Sequence, residues 1–208
     1  MSIILHYFPL YARAEPIRVI LNYAGIRYEE KTYEFEEWSQ HKSEFEFEEL
    51  PCLEIDGSKL VQSTSIERYL CQKWGYSFKD PYLNYLSSSL VDVRIDFTNK
   101  KIDMVWHKKD RQGWVDWIRS DFSHTLKAIE KRYINNGETG YFVGNSPSIA
   151  DFEMFVLIHD QFLRDGVKDQ MEPIIRECAP KLISFVESFI KSSEPLQKYL
   201  QERPVRMF

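Results

Sequence analysis

Ser2-Ile3-Ile4-Leu5-His6-Tyr7-Phe8-Pro9-Leu10-Tyr11-Ala12-Arg13-Ala14-Glu15-Pro16-Ile17-Arg18-Val19-Ile20-Leu21-Asn22-Tyr23-Ala24-Gly25 changes its hydrophobic period halfway along. Ser2 to Tyr7 is an apolar run that reads as a buried strand, and Phe8-Pro9 breaks it. Beyond the break Ile17, Ile20, Leu21 and Ala24 fall on one helical face. Pro16 suits the first turn of that helix, where its missing N–H costs nothing, and Gly25 suits the close. Residues 27–33 read as a second strand. The unit is strand–helix–strand, which predicts parallel pairing through a right-handed crossover.

Working outward, Pro51-Cys52-Leu53-Glu54-Ile55-Asp56 alternates and meets Gly57, and Lys59-Leu60-Val61 follows. Asp-Gly between two such runs signals a hairpin. Ser63 or Thr64 suits the cap of a helix that carries Ile66, Tyr69 and Leu70 and stops near Gly75. The order β-α-β-β-α is that of a thioredoxin-like domain over residues 1–76. Residues 77–82 contain Asp80-Pro81 and read as a linker. From 83 to 208 the strand signal fades and helices are expected at 83–107, 112–135, 148–164 and 179–191, with a short one at 195–202. The fold expected is an α/β thioredoxin-like N-terminal domain joined to an all-α helical bundle.

Composition narrows the function. The chain has 208 residues and a net charge of −5, which disfavours a nucleic-acid binder. Its most basic stretch, Lys100, Lys101, Lys108, Lys109 and Arg111, is interleaved with Asp103 and Asp110 and reads as a solvated helix face. No apolar run approaches the ~18 residues of a membrane span. The start lacks a basic segment followed by an apolar one, and Cys52, Cys71 and Cys178 form no CxxC pair. A reducing compartment, the cytoplasm, is expected. Aromatic residues reach 15%, enough to suggest that some line a cleft or an interface.

Tyr7 to Arg18 resembles the sigma-class opening Tyr-Phe-x-x-x-Gly-Arg-Ala-Glu-x-x-Arg of the cytosolic glutathione transferases. Trp38 with Lys42, Leu50-Pro51, and Gln62-Ser63-x-x-Ile66-x-Arg68-Tyr69-Leu70 match at the expected spacings. The resemblance covers essentially the whole chain. It implies a homodimeric enzyme that takes glutathione as cosubstrate, needs no metal, and joins it to hydrophobic electrophiles. A free cysteine thiol has a pKa of about 8.5, and only its thiolate is a good nucleophile. Tyr7 would donate its hydroxyl to the sulfur and favour that thiolate. Read alone, Tyr7 fits a half-buried strand tyrosine better than a catalytic one. Arg13 would assist by charge, or else pair with a glutamate.

The resemblance assigns the remaining contacts residue by residue. Leu50, before a cis Pro51, would meet the cysteinyl backbone as an added strand does. Gln62 and Ser63, at a helix N-terminus, would hold the γ-glutamyl carboxylate. Trp38 and Lys42 would hold the glycyl carboxylate, although Lys42 also fits a solvated lysine. Phe8, Tyr11, Met104 and Phe208 would line the acceptor pocket. Cys52 reads as packing rather than as a nucleophile. Ser148-Ile149-Ala150-Asp151 reads as a capping box that serves folding.

Three positions depart from the pattern. Glu46-Phe47-Glu48-Glu49-Leu50-Pro51 stands where Pro-Phe-Gly-Gln-Leu-Pro is usual, so any positive φ there falls on a glutamate. Ala12 replaces a glycine. Lys100, rather than the aspartate a partner subunit would lend, follows Asp92 and Asp96. These weaken the expected hold on glutathione and leave the chemistry at sulfur intact. An isomerase or peroxidase activity fits the same site. The alternative is a non-enzymatic derivative, structural or ligand-sequestering as lens crystallins of this fold are.

Overall fold

A computed structural model describes residues Met1–Arg206. The chain divides into two units, Met1–Gly75 with Ser193–Phe208, and Tyr76–Ser192.

The first unit is built on a four-stranded sheet of order β2-β1-β3-β4. Strand β1 (Ile3–Tyr7) runs parallel to β2 (Glu29–Thr32) with Tyr7 opposite Thr32, and antiparallel to β3 (Cys52–Ile55) with His6 opposite Cys52. Helix α1 (Glu15–Tyr23) makes the crossover and buries Ile17, Ile20 and Leu21, the face that the spacing predicts. Strand β4 (Ser58–Val61) completes the hairpin. Asp56 and Gly57 turn it with φ of +48° and +84°, the paired left-handed residues a two-residue loop demands. Between β2 and β3 lies a short helix, α2 (Trp38–His41).

Helix α3 (Ser63–Lys73) begins one residue earlier than the expected cap allows. Gln62 holds the N-cap position with φ of +68°, Ser63 is already helical, and no side chain caps the first turn. The left-handed residue swings the chain directly from β4 into the helix. That leaves Ser63 and Thr64 inside it.

The C-terminal segment belongs to this unit, where α10 (Glu194–Glu202) packs on α1. Its attachment is ionic. Glu15 and Arg18 of α1 are buried and paired at 3.0 Å. Arg203 and the Tyr199 hydroxyl reach the other Glu15 oxygen at 2.5 and 2.7 Å. Arg206 makes a two-point bond to Glu30 at 2.6 and 2.8 Å, and Arg18 shares that carboxylate at 2.5 Å.

The second unit holds six α-helices among the described residues: α4 (Pro81–Lys101), α5 (Arg111–Trp117), α6 (Ser123–Asn135), α7 (Ile149–Ile158), α8 (Lys168–Cys178) and α9 (Lys181–Lys191). Asp80 caps α4 by accepting the N–H groups of Tyr82 and Leu83. Helix α7 is buried along its length, and buried Arg94 of α4 is ion-paired with its Glu153. Turns of π-helix at Ile102–His107, Ile118–Phe122 and His159–Leu163 continue α4, α5 and α7. Helix α8 is an addition to the elements read from the sequence. Pro173 lies inside it and hides a good stripe of Met171, Ile174 and Ile175.

Ser148 and Asp151 form the expected capping box at the start of α7, and Asp151 takes further donors. Its carboxylate accepts the Ser148 N–H at 2.7 Å, the Ser148 hydroxyl at 2.8 Å and the Phe142 N–H at 2.7 Å. Burial nevertheless leads, lifting this carboxyl to about 7 against those three donors. A carboxyl raised on folding contributes stability that is complete below its unfolded value and is lost as pH rises through about 7. Asp151→Asn sets an amide N–H against one of the two backbone donors, and should cost about 1–3 kcal/mol. Denaturation midpoints should also fall less between mildly acidic and mildly alkaline buffer in this variant than in wild type. Equal slopes would contradict the raised carboxyl.

Candidate functional site

Tyr7 is buried at the carboxyl end of β1, and its hydroxyl oxygen accepts the backbone N–H of Arg13 at 3.2 Å. The turn that brings this N–H there passes through Ala12 at φ +34°, a conformation easier for the glycine it replaces. A tyrosine hydroxyl can accept one hydrogen bond while donating another. Beneath the ring, the Arg18 guanidinium carbon lies 5.7 Å from its centroid. Arg18 also donates to the carbonyls of Leu10 and Tyr11 at 2.9 and 3.3 Å, which fixes the start of the same turn.

Strand register gathers the other residues. One step beyond the pairs His6–Cys52 and Cys52–Val61 stand Tyr7, Pro51 and Gln62. The end of β1, the start of β3 and the end of β4 therefore meet at one end of the sheet, where α3 opens with buried Ser63. Ligands of open sheets commonly bind at such an end. The Leu50–Pro51 peptide is cis, as the pair predicts.

Tyr33, Phe45 and Cys52 form a buried cluster against which Phe8, Trp38, Leu50 and Val61 pack. The Trp38 ring lies 5.5 Å from those of Phe8 and Phe45. Burial pushes the Cys52 thiol up to about 11, so it is a packing residue here. The Lys42 N–H bonds the Trp38 carbonyl, which sets the two side chains one turn apart. The Lys42 ammonium is 2.6 Å from the Glu48 carboxylate. Glu48 itself has φ of +52°, as expected once glycine is lost, and Phe47 before it has φ of +61°.

The acceptor residues divide between the units. Phe8 stacks on Phe35 at 4.6 Å, and the buried Tyr11 donates its hydroxyl to the Pro204 carbonyl at 3.0 Å, both in the first unit. Met104 lies in the first π-helical turn of the second unit, half-buried. Phe208 lies outside the described residues. On α4, Asp92, Asp96 and Lys100 are exposed, and Lys100 sits 5.7 Å from the Trp117 ring centroid.

Two features of the site escape a reading of the sequence alone. The first is Arg18, quoted within the motif but given no role. Its spacing of three from Glu15 is the signal that pairs them. The second is the Lys42–Glu48 pair, which joins two short 3-10 turns, Lys42–Glu44 and Glu46–Glu48, broken by left-handed Phe47 and without a periodic signature.

Comparison with known proteins agrees with this geometry. Residues 1–72 match the family described as "Glutathione S-transferase, N-terminal domain", and residues 95–203 match "Glutathione S-transferase, C-terminal domain". The chain is 31% identical over 206 residues to a probable glutathione S-transferase 6 of Caenorhabditis elegans, covering 96% of each. It is 32% identical over 152 residues to the hematopoietic prostaglandin D synthase of Gallus gallus, covering 71% of this chain and 73% of that one. Among solved structures it is similar to monomeric Na-GST-3, a glutathione S-transferase of the hookworm Necator americanus, at 28% identity and a TM-score of 0.81 over all of both chains. The chain belongs to the glutathione S-transferase family.

Proposed function

We propose that this glutathione transferase ionises the glutathione thiol at Tyr7 and delivers the thiolate to hydrophobic electrophiles. The observation that carries the reading is the Arg13 N–H on the Tyr7 oxygen, which orients the hydroxyl at the end of β1 where the sulfur is assigned. A donor held in a buried site favours the charged sulfur over the neutral one. The sulfur then forms a bond to an electrophilic carbon. The bonding pair leaves with a departing group, or a proton is taken up on the neighbouring atom. Arg13 adds positive charge beside the reacting atom.

The rest of the ligand is assigned by chemistry. The first turn of α3, with no side-chain cap, offers its N–H groups and the positive end of the helix dipole to the γ-glutamyl carboxylate, beside Gln62 and Ser63. Leu50 and Pro51 meet the cysteinyl backbone. Trp38 and Lys42 meet the glycyl carboxylate. Phe8 and Tyr11 of the first unit meet the apolar acceptor. Isomerisation and peroxide reduction draw on the same thiolate, and the identity to a prostaglandin synthase supports the first. A cytoplasmic role in detoxification fits the free cysteines. The second reading, a ligand-sequestering or structural derivative, is favoured by Glu48, which engages Lys42 already.

We also propose a two-fold homodimer. Phe47 is 63% exposed, on a left-handed residue of an otherwise acidic loop. It does not fold back on its own strand, and a ring so displayed is costly without a partner. Light scattering at micromolar concentration should give twice the chain mass, and Phe47→Ser should give the chain mass. A wild-type monomer, as the hookworm relative Na-GST-3 is, would overturn this.

Tyr7→Phe removes the hydroxyl and keeps the ring. Conjugation of a chloronitrobenzene should slow by roughly 10²-fold, its pH–rate midpoint should move up, and glutathione affinity should barely change. An unaltered pH–rate profile would remove Tyr7 as activator. A wild type that binds glutathione without turnover would favour the second reading.

A further inference from the structure

Lys42 and its neighbours His41 and Lys59 are each engaged within the chain. His41 faces Glu44 at 2.9 Å, and Lys59 donates to the Glu44 carbonyl at 3.1 Å and lies 4.6 Å from the Phe45 ring centroid. Lys42 meets Glu48 at 2.6 Å, the distance of a charge-assisted hydrogen bond. Glu46 and Glu49 are exposed beside them.

Backbone geometry makes the Lys42–Glu48 contact. Phe47 and Glu48 are consecutive left-handed residues, a conformation that side-chain-bearing residues rarely adopt. The Glu48 N–H bonds the Phe45 carbonyl at 3.1 Å, which closes the loop over the turn that carries Lys42. Side chains held this way at a binding loop are a functional signal. The carboxylate of Glu48 thus stands where a ligand carboxylate would bond.

Resting on the assignment of Lys42 to the glycyl end of glutathione, we infer that Glu48 is a specificity-determining residue that competes internally for that anion subsite. The chain consequently accepts thiol tripeptides whose terminal carboxyl is esterified or amidated about as well as glutathione itself. A free glycyl carboxylate must displace Glu48 from Lys42. A neutral ester leaves the pair in place. Both Lys42 and Glu48 are about half exposed, at 45% and 53% of their side chains, so the competition is modest.

Calorimetry on wild type, Glu48→Gln and Glu46→Gln, each with glutathione and with its glycyl ethyl ester, tests this. Wild type should bind the two peptides within about twofold, and Glu48→Gln should tighten glutathione by roughly twofold to fivefold while leaving the ester unchanged. Glu46→Gln removes the same charge from the same loop and should move neither. The inference is overturned if wild type prefers glutathione by roughly tenfold, if Glu48→Gln improves both peptides alike or neither, or if Glu46→Gln reproduces its effect. Failure of both peptides to bind all three proteins overturns the glutathione assignment beneath it as well.

Discussion

Arg18 carries its charge at 1% exposure, and the active end of the first unit is arranged around it. An unpaired ion so deeply buried costs several kcal/mol. Burial alone would lower its pKa, but Glu15 and Glu30 outweigh that and keep it charged. For Glu30 the balance is similar. Burial pushes its carboxyl up, and the bonds from Arg206 and Arg18 bring it below the ordinary value. The same guanidinium takes the Leu10 and Tyr11 carbonyls, which begin the turn toward Arg13. The N–H that orders the Tyr7 hydroxyl therefore depends on an ion cluster that includes the C-terminal Arg203 and Arg206.

The site has opposite electrostatics at its two ends. At one end the Arg18 guanidinium lies 5.7 Å from the Tyr7 ring centroid, a positive charge beside the proposed sulfur site. At the other end Glu48 already engages Lys42, which disfavours a negative ligand terminus there. The first charge is buried, where low dielectric strengthens its reach. The second acts between half-exposed side chains, where solvent screens it. Chemistry at sulfur should thus survive a weakened hold on the glycyl end.

Much of the first unit was legible because its signals are local. The change of period at Phe8-Pro9 gave β1 and α1, and Asp56-Gly57 gave the hairpin. The missing glycine at 48 announced a left-handed glutamate, which the backbone shows. What stayed hidden is long-range or irregular. The bonds from Arg203 and Arg206 span 188 and 176 residues and leave no periodic trace. Helix α8 was masked by Pro173, and Gln62 rather than Ser63 takes the cap because the chain turns left-handed there. The spacings of Trp38, Lys42, Leu50, Pro51 and Gln62 were readable, but register was needed to bring Tyr7, Pro51 and Gln62 to one end of the sheet.

The central claim is that the Tyr7 hydroxyl makes bound glutathione a thiolate near neutral pH. The direct measurement is titration of the wild-type complex by the ultraviolet absorbance of the thiolate, with Tyr7→Phe as reference. The account predicts a bound thiol titrating about 1–2 units below the ~8.5 of a free cysteine, and a return toward that value when the hydroxyl is removed. A bound thiol that titrates like free cysteine, or a depressed value that persists in Tyr7→Phe, would contradict it.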